Sequence, residues 1–158
     1  MSTSNEIHPA SAATLTVAIE IAAPVSATWR HLVEEIGSWW RSDFLVSANE
    51  PVMTLEPRIG GLLCERCARE GEGFVWGQVI RFEPETHLAF TAQVVPPWGG
   101  PAHSVVQIAL RAEGEGTVLT LNDSLVGQVG EETLASMDEG WRMLLGEGGL
   151  KSHVEAEG

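Results

Sequence analysis

Tyrosine is absent from this sequence, and lysine occurs once, at Lys151. Nine Lys and Arg stand against 22 Asp and Glu, giving a formal charge of −13. No cluster of cations is available to displace counterions from a phosphate backbone or to hold anionic headgroups. Nucleic acid is therefore excluded as a partner, and the scattered acids read as a solvating surface. No apolar run approaches the ~20 residues that a membrane helix needs, and the first residues lack the basic start and apolar stretch of a secretory signal. Membrane insertion is not expected, and the location reads as cytoplasmic.

Cysteine is scarce as well: Cys64 and Cys67 are the only two. They form a C-x-x-C, but Leu62-Leu63-Cys64-Glu65-Arg66-Cys67 has the character of a strand, in which residues three apart face opposite sides about 10 Å from each other. That is beyond the reach of a disulfide, and no second pair completes a tetrahedral metal set. His8, His31, His87, His103 and His153 show no metal-ligand spacing. No metal and no cofactor is expected. Gly60-Gly61 marks a turn rather than a phosphate loop, and Ser104, Ser124 and Ser136 lack a nucleophile elbow or a base paired with them in the sequence.

What is present fits one globular domain: 158 residues, 44% hydrophobic and 20% charged, enough to bury a core without a staple. Met1 to Ala13 are rich in Ser, Ala and Asn without periodicity and read as an N-terminal tail, with the domain spanning 14–158. Leu15, Val17, Ile19 and Ile21 alternate with Thr16, Ala18 and Glu20 as in a strand with one buried face, and Pro24 ends it. Pro24 to Glu35 has helical spacing with Ser26 as its cap, Gly37 as its stop, and Trp39-Trp40 as a second apolar turn. Six strands follow: Val52 to Glu56, Gly61 to Ala68, Gly73 to Phe82, His87 to Val95, Ser104 to Ala112 and Thr117 to Val126. Short turns between them require antiparallel pairing. After Gly130 the period becomes helical, with Leu134, Met137, Trp141, Leu144 and Leu145 on one stripe, and Gly146, Gly148 and Gly149 predict a break.

This order carries short motifs: Ile19-Glu20-Ile21-Ala22-Ala23-Pro24, Trp29, Trp39-Trp40, Arg58-Ile59-Gly60-Gly61, Gly77-Gln78-Val79, Glu83-Pro84, Leu88-Ala89-Phe90, Thr117 to Leu121 and Gly140-Trp141. In them the chain resembles the SRPBCC superfamily of START-like, helix-grip domains, and within it bacterial proteins similar to the activator of Hsp90 ATPase. The resemblance implies an α+β fold: a seven-stranded curved antiparallel sheet around a long C-terminal helix, with two short helices after the first strand. It implies a cavity between sheet and helix that holds apolar molecules in relatives. It does not fix one activity. Subgroup members often have a histidine where this chain has Asp123, and tyrosines in the pocket.

Strand alternation selects the inward residues. Val106, Ile108 and Leu110 share one face, Leu119, Leu121 and Asp123 another, and Leu88, Phe90 and Ala92 a third. Phe74, Trp76, Gln78, Ile80 and Phe82 form a further row, which a bulge near Gly77 would reverse. Trp98, in the stiff Val95-Pro96-Pro97-Trp98-Gly99-Gly100-Pro101 connection, is placed at the mouth. The expected ligand-binding residues are Trp40, Trp76, Gln78, Phe90, Trp98, Ile108, Leu119, Leu121, Asp123, Met137 and Trp141. The expected partner is a small apolar or amphipathic molecule, and a homodimer is compatible with this reading. Asp123 is the candidate catalytic residue. Two placements for it stay open: buried with a raised pKa, or at the rim beside an arginine such as Arg58. Three roles follow: a ligand-binding module; a cyclase- or hydrolase-like enzyme using Asp123 with Gln78 and His103 on a polyketide-like or aromatic substrate; and, from the resemblance, an Hsp90-activator-like interaction linked to stress response.

Overall fold

The computed structural model describes residues 3–157. Strand β1 (Ser11–Ile21) leads into helices α1 (Val25–Glu34) and α2 (Ile36–Trp39), after which β2 (Val52–Leu55), β3 (Leu62–Arg66), β4 (Gly73–Glu83), β5 (His87–Val94), β6 (Ala102–Glu113) and β7 (Gly116–Gly127) follow in turn. Helices α3 (Glu131–Leu145) and α4 (Leu150–Ala156) complete the chain. The seven strands form one antiparallel sheet in the order β1-β7-β6-β5-β4-β3-β2. Every neighbouring pair after β1 is a hairpin, as short turns require. The first strand returns to close the β7 edge. No helix among the described residues is long and apolar enough to cross a membrane.

Three local expectations need correction. Strand β1 begins at Ser11, inside the stretch read as tail, because Ser11, Ala12 and Ala13 pair with Gly127, Val126 and Leu125. These residues lie on an exposed stretch of the strand, so the ladder extends past the alternation that marks burial. Ser26 is not the cap of α1. Pro24 holds that position with φ −65 and ψ 158, and no side chain caps the helix. The helix break falls at Glu35 rather than Gly37, and Gly37 sits inside α2, where a Cβ would lie 2.9 Å from the carbonyl oxygen of Met53. Close approach to β2 explains that glycine.

Strand β4 changes its inner face twice. Pairing with β3 skips Trp76, and pairing with β5 skips Ile80. Phe74 and Trp76 therefore face inward, then Gly77 and Val79 take over, and Phe82 packs on the core again. Gln78 is turned to the outside. A Cβ on Gly77 would come 1.7 Å from the carbonyl oxygen of Thr91, so only glycine fits where the bulged strand presses on its neighbour.

Two packing zones result. Val17, Leu119 and Leu121 have no exposed surface, and Ile108, Leu145, Leu150 and Val154 close around them. Each such side chain contributes roughly 1.5–3 kcal/mol by leaving water. The break predicted by the glycines occurs between α3 and α4, and α4 is tied back to the end of β1. Lys151 Nζ donates to the carbonyl of Glu20 (2.6 Å), and the amide of Ala22 donates to Glu155 Oε1 (2.8 Å).

Candidate ligand cavity

The cavity arises from side-chain size along the inner face. On β6 the inward residues run Leu110, Ile108, Val106, Ser104; on β7 they run Leu119, Leu121, Asp123; on β5 they run Leu88, Phe90, Ala92. The first members fill the core. The last ones are too small to reach α3, whose facing positions there are Ser136, Met137 and Gly140. A volume of about 500 Å³ remains between sheet and helix, within the range of small-molecule sites. Trp40, Trp76, Phe90, Trp98 and Trp141 contribute rings to its wall, with Phe44 and Val46 from the connection between α2 and β2 and Leu63 from β3.

Asp123 lies at the floor with 1% of its surface exposed. Ser104 donates its hydroxyl hydrogen to Oδ1, and Trp141 donates its indole N–H to Oδ2 at 3.0 Å. Burial raises the pKa of this carboxyl by disfavouring the charge, and the bonds from Ser104 and Trp141 oppose that rise. The placement beside Arg58 is ruled out: that guanidinium pairs with Glu56 on the surface. Trp40, also in the wall, keeps a buried indole N–H with no hydrogen-bond acceptor among the described residues.

The mouth is a cluster of rings. Trp76 and Trp98 stack at 5.2 Å with planes 19° apart, Trp40 meets Trp76 edge-on at 5.5 Å, and Phe74 contacts both Trp76 and Trp98. Glu65, only 1% exposed, organises this end. It accepts the backbone N–H of Val46 and of Ser47, and the indole N–H of Trp76 at 2.7 Å. Neither the role of Glu65 nor the loop it anchors is an expectation from sequence. A signal exists: Glu65 follows Leu63 at the strand period, as Asp123 follows Leu121.

Of the residues expected from sequence, Trp40, Trp76, Phe90, Trp98, Asp123, Met137 and Trp141 line this cavity. Four do not. Gln78 points outward and donates to the carbonyl of Gly60 at 3.1 Å, because the bulge at Trp76 reverses the row. Ile108, Leu119 and Leu121 lie in the closed core, where a gap beside Ile108 measures only about 20 Å³. His103 is exposed on the opposite side of β6 from Ser104, so the expected grouping of Asp123 with Gln78 and His103 does not form. The histidines are not all isolated: His31 and His153 pack edge-to-face at 4.8 Å. The two cysteines are free thiols.

The model of the Activator of Hsp90 ATPase homolog 1-like protein family matches residues 22–155. The chain belongs to that family. Solved structures agree in fold. A protein from Rhizobium leguminosarum superposes with a TM-score of 0.69 at 18% identity, covering 96% of this chain and 97% of that one. The AHSA1-like protein RHE_CH02687 from Rhizobium etli gives 0.61 at 27% identity, with 92% and 83% covered. CalU16 from Micromonospora echinospora gives 0.62 at 23% identity, with 93% and 77% covered. Comparison with curated proteins finds no match. In this member of the family the cavity floor is built on Asp123, Ser104 and Trp141.

Proposed function

We propose that this AHSA1-like protein binds a small, largely apolar molecule whose polar end reaches Asp123 and Ser104. The observation that carries the reading is one concave space of about 500 Å³ with aromatic walls and a single buried carboxyl at its floor. Apolar walls supply affinity, while a few fixed polar groups supply orientation. A hydroxylated aromatic or an amphipathic chain satisfies these demands. The reading keeps the cytoplasmic location expected from the sequence.

Native mass spectrometry of freshly purified protein tests it by looking for a co-purified small molecule. Titration with hydrophobic dyes and fatty acids, read by tryptophan fluorescence, is the second measurement, since Trp40, Trp76, Trp98 and Trp141 all border the space. Unchanged fluorescence at saturating probe, with no bound species in the mass spectrum, would sink the binding reading.

One observation favours an enzymatic variant: a buried carboxyl with a raised pKa is suited to exchanging a proton with a bound substrate. Asp123 then acts with Ser104 alone, because Gln78 and His103 lie outside the cavity. Turnover of an aromatic or polyketide-like substrate that disappears in Asp123→Asn while binding persists distinguishes this variant from simple binding.

A further inference from the structure

Where α1 packs against α4, away from the cavity, four side chains with metal-binding chemistry meet. His31 and Glu35 stand four apart at the end of α1, and His153 and Glu157 stand four apart at the end of α4. That spacing puts each pair on one helix face. One ligand atom from each residue lies within 4.8 Å of the other three.

The imidazole nitrogens are the telling feature. His31 is 1% exposed, and its Nδ1 lies 2.8 Å from Glu35 Oε2. His153 Nε2 approaches the same oxygen at 3.5 Å. Both nitrogens are buried, and neither makes a hydrogen bond of acceptable geometry. Glu157 Oε2 stands 3.0 Å from His31 Nε2. In a tetrahedral zinc site with metal–ligand bonds of about 2.1 Å, neighbouring ligand atoms are separated by about 3.4 Å. The separations of Glu35 Oε2 from His31 Nδ1 and from His153 Nε2 bracket that value; Glu157 now faces the other nitrogen of His31, so its half-exposed carboxylate must turn to the Nδ1 side to complete the set.

Arg30 is the cation now nearest. It binds Glu35 Oε1 at 2.6 Å, which leaves Oε2 free, and stands 3.3 Å from His31 Nε2 and 3.5 Å from Glu157 Oε2. It therefore occupies the other edge of the imidazole from Nδ1. Its side chain is about half exposed and can swing into water.

We propose that His31, Glu35, His153 and Glu157 form a site for a divalent transition-metal ion of the zinc type, joining α4 to α1. Two imidazoles and two carboxylates suit zinc; calcium and magnesium prefer sets made of oxygen alone. The ion would fasten the C-terminal helix where hydrogen bonds do not satisfy the histidines.

The test is zinc titration of the untagged, chelator-treated full chain by calorimetry, with cobalt as the spectroscopic probe. The expected result is one ion per chain, a raised thermal midpoint, and visible tetrahedral cobalt bands without sulfur-to-cobalt charge transfer. His153→Ala and Glu157→Gln alter partly exposed positions and should keep the native circular dichroism, yet each should weaken zinc binding about tenfold or more. Absence of stoichiometric binding, affinity unchanged in both variants, or a cobalt spectrum showing thiolate ligation would overturn the proposal.

Discussion

The two ends of the same curved sheet behave differently, although they share strands β5, β6 and β7. At the closed end, Ile108 sits opposite Leu121 and Leu110 opposite Leu119, and the space up to the helices is filled but for an apolar gap of about 20 Å³ beside Ile108. One inward pair further along, Val106 sits opposite Asp123, and the space opens into the cavity. Nothing in the backbone changes between these pairs; both belong to one continuous antiparallel ladder. The difference is in side-chain volume and polarity, so a cavity can be placed in a fold by shortening a few residues. The closed end supplies the stability that lets the other end remain open.

The contrast can be broken most severely from the closed side. Leu121→Ala, at a position with no exposed surface, is expected to lower unfolding free energy by about 2–5 kcal/mol in denaturant melts, with dye binding retained wherever the protein stays folded. A loss under about 1 kcal/mol would show that this zone is looser than described. Trp141→Phe keeps most of the ring and removes the donor to Asp123. It should cost about 1–3 kcal/mol by leaving a buried acceptor less satisfied, and an unchanged melting temperature would discount that bond.

Ala92→Leu makes the open end resemble the closed one. Stability should change by less than about 1.5 kcal/mol because the added carbons enter existing space, while dye binding should fall sharply; undiminished binding would place the ligand elsewhere.

Asp123→Asn addresses polarity rather than volume. With its pKa raised in the native state, Asp123 holds its proton to higher pH than it does unfolded. The native state therefore binds more protons from the unfolded value of about 3.9 up to the raised value, and stability falls as pH rises through that window. The variant should lack this fall in thermal melts across pH. A fall of the same size in both proteins would assign it to other groups. Trp98→Ala should have the smallest stability effect, within about 0.5 kcal/mol for a partly exposed loop residue, and should still weaken ligand binding by opening the mouth.

Much of the closed end could be read from the sequence because its signal is periodic. Ile108 and Leu110, and Leu119 and Leu121, recur at period two on their strands, and Leu145 continues the helix stripe. The open end was legible only in part. Asp123 shows itself by following two leucines at period two, but whether an inward position is core or cavity wall depends on what faces it across several ångströms. That is why Ile108, Leu119 and Leu121 were expected at the site and belong to the core. Gln78 falls outside for a different reason: the residue inserted at Trp76 reverses the face of β4 until a second insertion at Ile80 restores it, and although Gly77 marks where a bulge could fall, alternation alone does not decide whether it does. The meeting of His31 and His153 depends on packing between α1 and α4, which lie at opposite ends of the chain.

Glu65 joins two parts of the portal that would otherwise move separately. One carboxylate holds both the Val46–Ser47 backbone and the Trp76 indole, so the indole cannot rotate away from Trp98 without giving up its bond to the group that also fixes the loop. On the proposed binding role, entry of a bulky guest would be coupled, through a single buried side chain, to loosening of the rim on two sides at once.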